Sequence, residues 1–258
     1  MLTAGSKNSP IILNMDQNNP YKLTTPPTYT GGVDSGALTR QVSNVMKRVY
    51  VRMFVGLLIT AFVSLGIAST PTLAHAILTN QIVFWGILIA MFAMAWIMPA
   101  KMMSMKPTTI LLLFGLFSVL MGAWLTPIFF VYAPGTIVKT FFISAGTFGA
   151  MSVYGYFTKS DLSRIGNYLY MALIGLFIAI IVNIFLKSSA LGWIISIVGV
   201  LLFVGLTAWD TQQMKRVAAA NLDPALADKL ATMGALNLYL DFINLFLFLL
   251  QIFGGNRN

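Results

Sequence analysis

The chain has 258 residues, of which 58% are hydrophobic and 9% charged. Soluble domains carry about 25% charged residues, so this chain has too few polar side chains to coat its apolar surface in water, and lipid is the implied solvent. The formal net charge is +9, from 16 Lys and Arg against seven Asp and no Glu. These cations lie between hydrophobic runs rather than in one patch, which fits topology signals and anionic head groups and argues against a nucleic-acid partner.

In chain order, residues 1–36 are rich in Pro, Gly, Asn and Thr, including Pro26-Pro27 and Gly31-Gly32. Such a composition buries too little apolar area to offset chain entropy, so a disordered N-terminal tail is expected. No cleavable signal segment is visible in it. Residues 37–48 read as a short interfacial helix running into the first span. A bilayer core of about 30 Å needs roughly 20 apolar residues. Seven stretches qualify: Val49–Ala68, Ile82–Met98, Thr108–Leu125, Thr136–Phe157, Gly166–Leu186, Leu191–Met214 and Gly234–Phe253. The expected organisation is an all-α integral membrane domain over 37–254, with a short C-terminal tail over 255–258. Pro127 and Pro134 mark the turn after the third stretch. In the fourth, Ala145 with Gly149 and Gly146 with Ala150 have the small-xxx-small spacing that lets helices approach closely in lipid.

With the N-terminus inside, the cytoplasmic segments carry Arg40, Lys47, Arg48, Arg52, Lys101, Lys106, Lys159, Arg164, Lys215, Arg216 and Lys229. The opposite side carries only Lys139, Lys187 and Arg257. That asymmetry favours a cytoplasmic N-terminus. An odd number of spans then puts the C-terminus outside, unless the last segment is re-entrant.

Five of the seven Asp read as ordinary: Asp16 and Asp34 in the tail, and Asp161, Asp223 and Asp228 in polar loops. Asp210 and Asp241 each lie within an apolar stretch, where a carboxylate costs roughly 2.5–3.5 kcal/mol on insertion scales and marks an ion or proton path. The sixth and seventh stretches are consecutive and antiparallel, joined by an expected loop of about 20 residues. Both carboxyls then fall at one level, nearer the cytoplasmic face. Asn237, Asp241, Asn244 and Gln251 fall on one helical stripe, and Thr207, Asp210, Thr211 and Met214 share a face. Two polar stripes on neighbouring helices should face each other. Close carboxyls in a low dielectric share a proton and titrate as a unit. Protonated, the pair is a hydrogen-bonded latch; deprotonated, it repels itself or recruits a cation. Its oxygens are hard ligands suited to calcium. Arg52 and Lys101 are the candidate basic partners, although either could snorkel to head groups instead. The competing structural reading is a polar clamp between helices.

Enzyme chemistry has little to work with. Cysteine is absent, which excludes disulfides, thiolate metal sites and a Cys nucleophile. His75 is the single histidine and has no metal-ligand or nucleophile partner at a recognised spacing. No enzymatic activity and no bound cofactor are expected.

Three segments resemble the Bax inhibitor-1 family, in family order and spacing: Thr158-Lys159-Ser160-Asp161-Leu162-Ser163 with Gly166, then Trp209-Asp210-Thr211-Gln212-Gln213-Met214-Lys215, then the run from Ala235 to Phe246 that holds Asn237, Asp241 and Asn244. The likeness spans about Leu38 to Gly254. It implies a seven-helix bundle with the last helix central. It also implies either a pH-sensitive calcium leak channel gated by Asp210 and Asp241, or a regulator that binds a membrane-bound AAA protease or a stress-response partner. A multi-pass protein of a bacterial inner membrane is the implied setting. Bacterial relatives carry a Glu in the second helix and an Arg at its end; here that helix reads Ile87-Leu88-Ile89-Ala90-Met91 and ends Pro99-Ala100-Lys101.

Overall fold

Each of the seven apolar stretches folds into one helix of the computed structural model, which describes residues 15–16, 19–23, 35–220 and 223–254. The first span is α1 (Ser35–Ala68), continuous with the helix expected from residue 37. A short α2 (Pro71–Leu78) leads to the second span, α3 (Gln81–Lys101), whose N-terminus is capped by Asn80 Oδ1 accepting from Ile82 N and Val83 N. The third span is α4 (Pro107–Leu125), followed by the single turn α5 (Ile128–Val131) between Pro127 and Pro134. The remaining spans are α6 (Pro134–Phe157), α7 (Ser163–Leu186), α8 (Ser189–Ala219) and α9 (Pro224–Phe253). All seven are long and apolar enough to cross a membrane. At about 1.5 Å per residue the 30 residues of α9 reach about 45 Å, longer than the hydrocarbon core.

The chain divides into two units, Met1–Leu38 and Thr39–Asn258. In the first, β1 (Met15–Asp16) pairs antiparallel with β2 (Asn19–Leu23). The expected tails over 1–36 and 255–258 fall otherwise almost wholly outside the described residues. The second unit is the membrane domain.

Its core is α9, which packs against α8, α6 and α4 and is buried along most of its length, from Ala231 to Leu250. Tyr239 is the largest side chain with no exposed surface. Its ring meets Phe114 and Phe117 edge-on, with centroids 5.6 and 6.1 Å away, and its hydroxyl lies 2.6 Å from Thr60 Oγ1. Thr60 Oγ1 also lies 2.9 Å from the Ser118 carbonyl oxygen, to which it can donate. One polar knot thus ties α1, α4 and α9 where lipid offers no competing water, and such bonds hold helices together. By contrast α3 packs on α4 and α2, and α7 on α8. Both turn large apolar side chains outward, such as Trp96, Phe177 and Phe185, as lipid-facing spans must.

Small residues do pack α6 against its neighbour, but not the ones the spacing singles out. Around Gly146 and Gly149 an added Cβ would meet nothing within 4 Å. The buried face is Ile137, Thr140, Ser144, Phe148, Ser152 and Gly155. A residue turns by about 100° along a helix, so 144, 148, 152 and 155 form one stripe while 146 and 150 point elsewhere. At Gly155 a Cβ would strike the Ala208 backbone of α8.

Candidate functional site

Side-chain contacts fix the register of α8 against α9. Phe203 stacks on Phe248 with centroids 5.9 Å apart, and Met214 fills the space in front of Gly234. Between those rungs lie Asp210 and Asp241, at 6% and 4% exposure, with their carboxyl groups within hydrogen-bonding reach of each other. The two acids therefore do meet at one level, as the helical spacing predicts.

The connection that brings them together differs from expectation. It is confined to residues 220–223 rather than a long loop. Asp223 ends it as an N-cap, its Oδ2 accepting from Ala225 N at 3.0 Å and Leu226 N at 3.2 Å, with Pro224 at the first helical position. An acidic cap before proline is a strong helix start, so α9 begins at Pro224, well before Gly234. Asp228 consequently sits in α9, not in a loop.

Asp228 also takes the basic residue expected at the acid pair. Arg52 Nη2 donates to Asp228 Oδ1 at 2.5 Å, and Arg52 Nη1 donates to the Asp228 carbonyl oxygen at 2.7 Å and to Thr232 Oγ1 at 2.8 Å. Arg48 joins from 3.3 Å. Arg52 is thus committed to the start of α9. Lys101 is exposed in the last turn of α3. Among the described residues, no basic side chain is hydrogen-bonded to Asp210 or Asp241, and Asp241 Oδ2 is buried without a hydrogen-bond partner.

The pair forms part of the wall of a cavity of about 760 Å³ lined by α3, α4, α7, α8 and α9 and open on one side. Asn237 and Asn244 line the same wall; Asn244 Nδ2 donates to the Leu240 carbonyl at 2.8 Å, which leaves its Oδ1 free to accept. Thr207 and Thr211 are buried but do not line it. Thr207 Oγ1 donates to the Phe203 carbonyl at 2.7 Å, and Thr211 Oγ1 has no partner. So α9 supplies the polar stripe, and α8 contributes Asp210 alone. The rest of the lining is aromatic and aliphatic, with the buried indole N–H of Trp124 lacking an acceptor.

The sequence reading passed over a second polar cluster at the α8 end of the domain. Gln212 receives Leu162 N at 2.9 Å and donates to the Ser160 carbonyl at 2.8 Å, clamping the loop between α6 and α7. Arg216, one turn on, donates to Asp161 Oδ1 at 2.6 Å and to Ser163 Oγ and Gln212 Oε1. Two of the motif segments are therefore the two halves of one clamp. The i, i+4 spacing of Gln212 and Arg216 carries that signal. The Ser163 amide and then the Arg216 guanidinium hold the Asp161 carboxyl down at about 2, from an ordinary 3.8. A carboxyl whose pKa falls on folding stabilises the fold above its ordinary value, and that contribution is lost as pH drops through the folded one. The protection of the Ser163 amide, the slowing of its exchange relative to the unstructured rate at the same pH, should therefore fall between about pH 4 and 2, a step that Asp161→Asn removes. A profile shared by both proteins would rule out the carboxylate clamp.

The family model described as "Inhibitor of apoptosis-promoting Bax1" matches residues 42–258. The inner membrane protein YbhL of Escherichia coli K12 is 46% identical over 214 residues, covering 82% of this chain and 92% of the relative. A Borreliella burgdorferi protein is 40% identical over 214 residues, covering 83% of this chain and 92% of its own length. One from Deinococcus radiodurans is 38% identical over 218 residues, covering 84% and 93%.

Proposed function

The chain belongs to the Bax inhibitor-1 family, and from that premise we propose that it is a passive cation leak, for calcium, gated by the proton shared between Asp210 and Asp241. The observation that carries this reading is the buried acid pair on adjoining spans, at a cavity wall, with no basic partner hydrogen-bonded to it among the described residues. We place the protein in a bacterial inner membrane, N-terminus inside, in keeping with the inner-membrane name of the E. coli relative and the distribution of Lys and Arg.

Two carboxyls can hydrogen-bond only through a proton between them. While that proton is present, the bond holds α8 to α9. Once it leaves, two negative charges a few ångströms apart repel in a medium where water screens little. The freed oxygens, with the amide oxygens of Asn237 and Asn244, are hard donors for a cation. These six oxygens reach only the lower end of the six to eight that calcium takes in a tight site, and they lie on one wall, which suits passage rather than storage.

Calcium flux into proteoliposomes across a pH series tests this. Wild type should leak faster as pH rises. Asp210→Asn should leak slowly at every pH, because an amide donates to Asp241 without needing a shared proton. Asp241→Asn should behave alike. Identical pH profiles in all three proteins would end the gating claim.

A further inference from the structure

The cavity is far larger than a bare ion requires, and its chemistry is divided. A volume of about 760 Å³ is that of a drug-sized ligand site. One wall holds Asp210, Asp241 and Asn237; the others are Phe92, Phe117, Trp124, Phe177 and further aromatic and aliphatic side chains. The cavity is open on one side. The spans α3 and α7 pack on α4 and α8 respectively, and between them stands the edge-to-face pair of Phe92 and Phe177, with centroids 6.3 Å apart at 71°. Both rings are about half exposed, at 49% and 50%. Rotation of either side chain needs no backbone motion, so a solute dissolved in the bilayer has a short way in.

Three features specify what would stay. The apolar walls favour a hydrophobic body. The buried carboxyl pair at the polar wall, with no basic side chain hydrogen-bonded to it among the described residues, calls for a positive charge. The aromatic rings that line the cavity offer faces on which a diffuse cation can rest. A hydrated metal ion uses the carboxyls but none of the walls; a fatty acyl chain uses the walls but leaves the carboxyls unmet.

We propose that this cavity is a binding site for hydrophobic organic cations, which enter from the bilayer between Phe92 and Phe177 and place their charge against Asp241. The site stands whether or not the protein conducts calcium.

Tetraphenylphosphonium, a permanent aromatic cation, is the probe. Radiolabelled probe should bind the purified full chain in phosphatidylcholine nanodiscs saturably, above the partitioning of empty discs. Dodecylamine should compete; dodecanol, of the same length but uncharged, should not. Asp241→Asn should weaken binding at least about tenfold, the effect of losing one charge partner in a low dielectric. Ala95→Trp, which fills the cavity from α3 and leaves both acids in place, should abolish it. Absence of saturable binding by wild type overturns the proposal, as does equal competition by dodecanol. So does unchanged binding in both variants. Calcium flux in the same preparations reads the leak separately, so either idea can fail alone.

Discussion

Gly155→Leu is expected to prevent α6 from docking on α8, with a loss of about 3 kcal/mol or more, the upper end of what overpacking costs. A Cβ at that position would strike the carbonyl group of Ala208, and its contacts with the Ala208 carbon and Cα would be 2.9 Å. These are backbone atoms in the interior of α8, which cannot rotate out of the way as a side-chain tip can. One helix must lift off the other along the whole stripe from Ile137 to Gly155. Gly149→Leu is the control, since a Cβ there meets nothing within 4 Å and the side chain enters open space. Thermal unfolding in detergent, followed by helicity and by the fraction surviving gel filtration, separates the two. Equal stability of both variants would show that α6 and α8 do not touch at Gly155.

Tyr239→Ala should be the costliest single truncation in the core, at about 3–5 kcal/mol, as for other fully buried aromatics replaced by alanine. The ring fills the space between Phe114 and Phe117, and α9 has no adjacent side chain free to move in. Tyr239→Phe dissects the effect. It keeps both ring contacts and loses only the hydroxyl, while Thr60 Oγ1 retains the Ser118 carbonyl. That should cost about 1 kcal/mol, the net worth of one hydrogen bond. A phenylalanine variant as unstable as the alanine one would assign the stability to the hydroxyl knot instead of the ring.

How far the sequence could be read depended on the kind of signal. An apolar run long enough for a bilayer is a property of each segment by itself, and all seven runs became helices. The meeting of Asp210 with Asp241 needed only periodicity and adjacency in the chain, so it too was legible. Pairings across the bundle were not. Nothing in the order of residues says that Arg52 reaches Asp228, 176 positions away, in preference to the acids deeper in the membrane. The start of α9 was in principle readable: Asp223-Pro224 is a cap followed by a first-turn proline. A hydropathy reading missed it because Asp228 and Lys229 interrupt the apolar run while leaving the helix intact. The glycines of α6 failed for another reason. Spacing identifies which small residues share a face, but several faces of α6 carry small residues, and only the neighbouring helix selects one.

The central position of α9 has a consequence for biosynthesis. The helix around which the others gather is made after them. Until it emerges, Thr60 lacks the Tyr239 hydroxyl and Asp210 lacks Asp241, with hydrocarbon rather than water around them. The earlier spans therefore enter the bilayer with Asp210 unpaired and without the helix on which α4, α6 and α8 pack. Pairs such as α3 with α4 and α6 with α8 can form earlier, but the assembly is completed only when the final core helix slides in.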